Sequence, residues 1–62
     1  MRRKEEWMFK GAKVTAFGKI GTITRMQENN INGIDYVYYI SIKLDGEKKS
    51  GQYHPGDISK IN

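Results

Sequence analysis

From Ile34 to Leu44 hydrophobic and polar positions alternate without a break. Ile34, Tyr36, Tyr38, Ile40, Ile42 and Leu44 share one face, and Asp35, Val37, Tyr39, Ser41 and Lys43 share the other. This period of two predicts a half-buried antiparallel strand, long enough to bend around a barrel and serve both of its halves. Asp45-Gly46 then predicts a two-residue hairpin turn into a partner strand over Glu47 to Tyr53, whose lysines suit an exposed edge. Upstream, Val14 and Ala16 alternate with Lys13 and Thr15 in a strand from Lys10 to Phe17, and Gly18-Lys19 predicts a turn. Ile20 to Met26 forms the second strand, with Ile23 as its inward anchor and Gly21 at a bulge or bend. Gln27 to Gly33 is polar and reads as a protruding loop or hairpin tip that turns at Asn32-Gly33. His54-Pro55-Gly56-Asp57 predicts one turn of 3-10 helix, and Ile58 to Ile61 a short closing strand.

Five short strands without a long helix predict an all-β fold, a small five-stranded barrel with a 3-10 turn before the last strand. Residues 1–8 read as a charged N-terminal arm and 9–62 as the single barrel domain, with Phe9 starting the ordered part and Trp7 folding back over an open end. The strand order resembles the SH3-like barrel. Within that class the opening, with Gly11, Val14, Gly18, Gly21 and Ile23 followed by the strand ending at Leu44-Asp45-Gly46, resembles the KOW motif of ribosomal and transcription-elongation proteins. The resemblance spans about residues 10–61 and implies the SH3-like fold; function has to be argued from the site.

Length sharpens the picture. A chain of 62 residues buries only about 60% of the surface its unfolded form exposes. Its stability is expected at about 3–9 kcal/mol. There is no Cys, so neither a disulfide nor a thiolate metal site can reinforce the core. The longest apolar block, Tyr36 to Ile40, is far too short to span a bilayer. The basic start Met1-Arg2-Arg3-Lys4 runs into Glu5, Glu6 and Lys10 where a signal peptide would be apolar. The expected location is the cytoplasm, with no membrane partner.

The net charge of +4 is uneven. Residues 1–26 hold Arg2, Arg3, Lys4, Lys10, Lys13, Lys19 and Arg25 against Glu5 and Glu6, whereas the remainder is slightly acidic. Such a surface attracts a polyanion. Catalysis finds little support, because a nucleophile needs a base beside it and His54 is the single imidazole, set in a Pro-Gly-Asp turn. One His without Cys makes no zinc site, and the carboxylates follow no calcium-loop pattern. The chain is similar in size and ending (Ser59-Lys60-Ile61-Asn62) to the plasmid-encoded, trimethoprim-resistant dihydrofolate reductases, but lacks their Val-Gln-Ile-Tyr segment. The expectation is a non-enzyme without metal, cofactor or small-molecule substrate.

Small barrels bind oligonucleotides by combining cations for phosphates with aromatic faces for bases. The candidates here are Arg2, Arg3, Lys4, Lys13, Lys19 and Arg25 for phosphates, with Tyr39 and Tyr53 for stacking. Weak binding of RNA or DNA through this basic face is the leading expectation. The alternative is a protein-interaction or self-assembly module acting through an exposed edge, either Glu47 to Tyr53 or the last strand.

Overall fold

The long alternating segment folds into the strand around which all the others are arranged. A computed structural model describes residues 1–61. Its strands are β1 (Arg2–Arg3), β2 (Lys13–Ala16), β3 (Lys19–Ile31), β4 (Ile34–Leu44), β5 (Gly51–Tyr53) and β6 (Ile58–Lys60), with a 3-10 turn at Pro55–Asp57. They form one curled antiparallel sheet, a half-barrel in the order β1-β4-β3-β2-β6. The outer edge of β4 is shared: β1 pairs with it at Tyr36 and Val37, and β5 at Ile40 to Ile42. The five expected strands are present, and the charged arm adds a two-residue sixth. No helix among the described residues is long and apolar enough to cross a membrane.

Two bulges set which side chains face the core. Between Ile23↔Ile42 and Arg25↔Ser41, β3 carries one extra residue, Thr24; between Gln27↔Tyr39 and Glu28↔Val37, β4 carries one extra residue, Tyr38. Each extra residue advances the in–out alternation by one step. Inward positions on β4 are therefore Val37, Ile40 and Ile42, all fully buried, with a spacing of three and then two. The simple alternation read from the sequence is corrected here. Val37 points into the core, and Tyr36 and Tyr38, expected inside, are only half-buried.

The core consists of Met8, Ala12, Val14, Ala16, Ile23, Val37, Ile40, Ile42 and Ile58, flanked by Trp7, Met26, Leu44 and Tyr53. Trp7 packs against it from the arm as expected, but Met8 is the anchor there, and Phe9 is exposed. The Met8 amide donates to the Glu5 carbonyl at 2.9 Å, a turn that drives the thioether inward.

Turn chemistry explains the remaining differences. The first hairpin turns at Phe17-Gly18, one residue earlier than expected, with φ of 52° and 78°. Positive φ at both positions is the primed turn that right-twisted strands require. Asn32-Gly33 forms the same kind of turn, at 54° and 82°. Gln27 to Ile31, expected as loop, continues β3 because each residue finds a partner on the long β4. The molecule measures 39 Å along its longest axis, and eleven extended residues span roughly 36 Å. By contrast, Glu47 to Ser50 is not strand. The Glu47 amide closes a turn on the Leu44 carbonyl, and the Ser50 hydroxyl is tied to Thr24 Oγ1 at 2.8 Å. Pairing resumes only at Gly51.

The bulge at Tyr38 makes a direct prediction. Val37→Asp buries an unpaired carboxylate and should cost more than about 3 kcal/mol, whereas Tyr36→Thr should cost about 1 kcal/mol. Urea unfolding of the two variants checks this; the reverse order would restore the unbroken alternation. Gly21→Ala would place a methyl 2.5 Å from Ile42 Cγ2 and 2.9 Å from the Lys43 carbonyl. It should lower stability by about 1–3 kcal/mol, measured in the same way.

Candidate nucleic-acid interface

Residues opposite each other in an antiparallel pair share a face of the sheet. Ile23↔Ile42 and Met26↔Ile40 look into the core, so Thr22↔Lys43, Arg25↔Ser41 and Gln27↔Tyr39 look out. Beyond the Tyr38 bulge, Val37 and its partners Arg2 and Glu28 lie on the inner side. Arg3, Tyr36 and Asn29 therefore lie on the outer one. The Tyr38 hydroxyl accepts a hydrogen bond from Asn29 Nδ2 at 3.3 Å and so joins them.

The unpaired charges on this face are positive. The strands contribute only two carboxylates, Glu28 and Asp35, and both fall on the inner side. The outward cations are Arg3, Lys13, Arg25 and Lys43. Lys13 is tied to Asp45 at 3.0 Å; Arg3, Arg25 and Lys43 enter no ion pair among the described residues. Across the middle of the face runs an open groove of about 470 Å³, lined by Arg25, Gln27, Tyr39, Ser41 and Gln52, with Met26 and Glu28 along its β3 side. The Glu28 carboxylate is offset by Lys4 Nζ at 2.7 Å. Tyr39 is 45% exposed. Its ring stands perpendicular to that of His54, with centroids 6.4 Å apart.

The eight residues singled out from the sequence divide into three groups. Arg3, Arg25 and Tyr39 lie on the outer face. Lys19 and Tyr53 lie elsewhere, near the turn of the first hairpin. There Tyr53 packs 6.1 Å from the ring of Phe17, which is 73% exposed despite its left-handed backbone. Arg2, Lys4 and Lys13 are engaged within the molecule. Arg2 donates to the Pro55 carbonyl at 3.0 Å and the Ile58 carbonyl at 3.4 Å, pairs with Glu5, and lies 5.7 Å over the Trp7 ring. It fastens the arm to the 3-10 turn and the start of β6. Tyr36, Tyr38 and Lys43 complete the outer face but were not among the expected residues. For Lys43 the alternation itself was the available signal; for the tyrosines only the bulge places them.

A second feature concerns backbone. β2 pairs with β3 only from Lys19 to Thr22, and Ile23 is bonded to Gly11 and Ala12. Among the described residues nothing pairs with that edge of β3 from Arg25 to Ile31. Such a length of open edge is a template for another strand. Also among the described residues, no three His, Asp or Glu side chains are grouped to hold a metal ion. Compared with family models, curated proteins and solved structures, the chain finds no match in any of the three.

The division of the cations is testable by stability. Arg2→Ala removes charge-assisted bonds to two carbonyls and should cost about 1.5–3 kcal/mol. Arg25→Ala should change the urea midpoint little. Equal, small effects would show that Arg2 does not fasten the arm.

Proposed function

We propose that this protein is a non-enzymatic binding module that holds RNA or DNA weakly through the outer face of β3 and β4. The observation that carries the reading is an excess of unpaired cations on one side: Arg3, Arg25 and Lys43 face outward in no ion pair along the strand that bears Tyr36 and Tyr39, while Glu28 at the groove is offset by Lys4 and Asp35 falls on the other side. Such a face carries an excess of unpaired cations for phosphates, the Glu28 and Asp45 carboxylates beside it being offset by Lys4 and Lys13, and its aromatic ring gives bases a surface. With three free cations, the logarithm of affinity should fall against the logarithm of salt with a slope between about −2 and −3. We read the curled sheet as an SH3-like barrel with a KOW-like opening, working in the cytoplasm without cofactor or small-molecule substrate.

Anisotropy titrations of labelled RNA and DNA at about 50 and 200 mM salt test the reading. Arg25→Glu combined with Lys43→Glu should weaken binding across all sequences and flatten the salt dependence. Lys4→Ala combined with Lys13→Ala should do so far less, because those cations already have partners. Unchanged binding in the first double variant contradicts the proposal.

The open edge of β3 from Arg25 to Ile31 favours a second reading, a module that captures another strand, including that of a second copy. Met26→Pro would block strand addition there. Loss of self-association in sedimentation, with nucleic-acid binding unaffected, would favour this reading over the first.

A further inference from the structure

We infer that the outer face takes single-stranded nucleic acid in preference to duplex, laid along β4 from Arg3 to Lys43, with Tyr36 and Tyr39 receiving bases. The inference rests on the nucleic-acid reading above and specifies which form of polymer that surface suits.

Three observations carry it. The bulge gathers Tyr36, Tyr38 and Tyr39 on the outward side within four consecutive residues. An exposed aromatic ring gains most from an unstacked base, and in a duplex the base faces are already covered by their neighbours. Around Tyr39 stand the amides of Gln27 and Gln52 and the hydroxyl of Ser41. These donors and acceptors can meet the edge of a base that lies on the ring, which a paired base would hide.

The third observation is where the cations are absent. A two-stranded ribbon can enter the major groove of a duplex, and β3–β4 is the longest ribbon of this molecule. Its stretch from Gln27 to Tyr38 contains Glu28 and Asp35 but no Lys or Arg. With Glu28 already offset by Lys4, this stretch of the ribbon brings no cation of its own to a pair of phosphate backbones. The free cations instead bracket the tyrosines on the flat of the sheet. Arg3 stands opposite Tyr36, Arg25 is adjacent to Gln27, the residue paired with Tyr39, and Lys43 lies on the same strand beyond Ser41. From Tyr36 to Lys43 this path is about 23 Å long. It suits a short single strand, at the lower end of the roughly 4–16 nucleotides held by small barrels.

The test uses the whole protein and four labelled probes: ten-nucleotide oligo-U and oligo-dT, and RNA and DNA duplexes, each at about 50 mM salt. At least one single strand should bind about tenfold more tightly than either duplex. Tyr39→Leu should weaken that binding about tenfold with no change in melting temperature, and Tyr39→Phe should retain it. The preferred sugar follows from comparing oligo-U with oligo-dT. Equal or tighter duplex binding that Arg25→Glu still weakens overturns the single-strand inference and leaves the basic face standing. No binding of any probe overturns both. Single-strand binding that ignores Tyr39→Leu also overturns the inference, because the strand would then lie elsewhere.

Discussion

At Tyr38 the central strand carries one residue more than its neighbour, and the two sides of the sheet are defined by that mismatch. Before it the core-facing position on β4 is Val37; after it the core-facing positions are Ile40 and Ile42. A second extra residue, Thr24 on β3, re-phases the partner strand where Ile23 gives way to Met26. Without these two steps a ribbon this long would either run its hydrophobic side chains out of the core or stay flat. With them the sheet curls, and one strand supplies both the centre of the core and a row of tyrosines on the outside. The bulges therefore link folding and the proposed binding surface: the same residue count that buries Val37 turns Tyr36 outward.

So small a core also decides the use of charge. The arm packs Trp7 and Met8 against the core, and its Arg2 bonds the Pro55 and Ile58 carbonyls. A guanidinium used in this way is part of the fold, and its positive charge is offset by Glu5. Lys4 and Lys13 are likewise offset by Glu28 and Asp45. Net charge along the chain therefore overstates the cationic surface in the first half. What matters for a polyanion is the smaller set left unpaired on one side, and this set includes Lys43 from the second half.

Much of the fold was legible because it depends on local rules. Alternation marked β4, Asn32-Gly33 marked its hairpin, and His54-Pro55-Gly56-Asp57 marked the 3-10 turn. The bulges were not legible, because an extra residue becomes visible only when two strands are laid side by side. Gln27 to Asn30 reads as loop because its residues are polar, yet backbone pairing to a long partner strand needs no hydrophobic side chain. Phe17 is a bulky residue at a left-handed position that normally favours glycine or asparagine, so the first turn was placed one residue late. Of the candidate site, Tyr39 was legible from type and strand phase, and Arg25 and Arg3 from charge alone. The internal engagement of Arg2, Lys4 and Lys13 was not, because it depends on contacts between residues distant in sequence.

The central claim is that the outer face of β3 and β4, and neither the Phe17–Tyr53 rim nor the open β3 edge, meets nucleic acid. The most direct measurement is an amide and side-chain NMR titration of the isotopically labelled protein with a short single-stranded oligonucleotide. The account predicts saturable shifts concentrated at Arg3, Arg25, Tyr36, Tyr39, Lys43 and Gln52. Shifts centred on Phe17 and Lys19, shifts confined to the edge from Met26 to Ile31, or no shifts at low salt would contradict it.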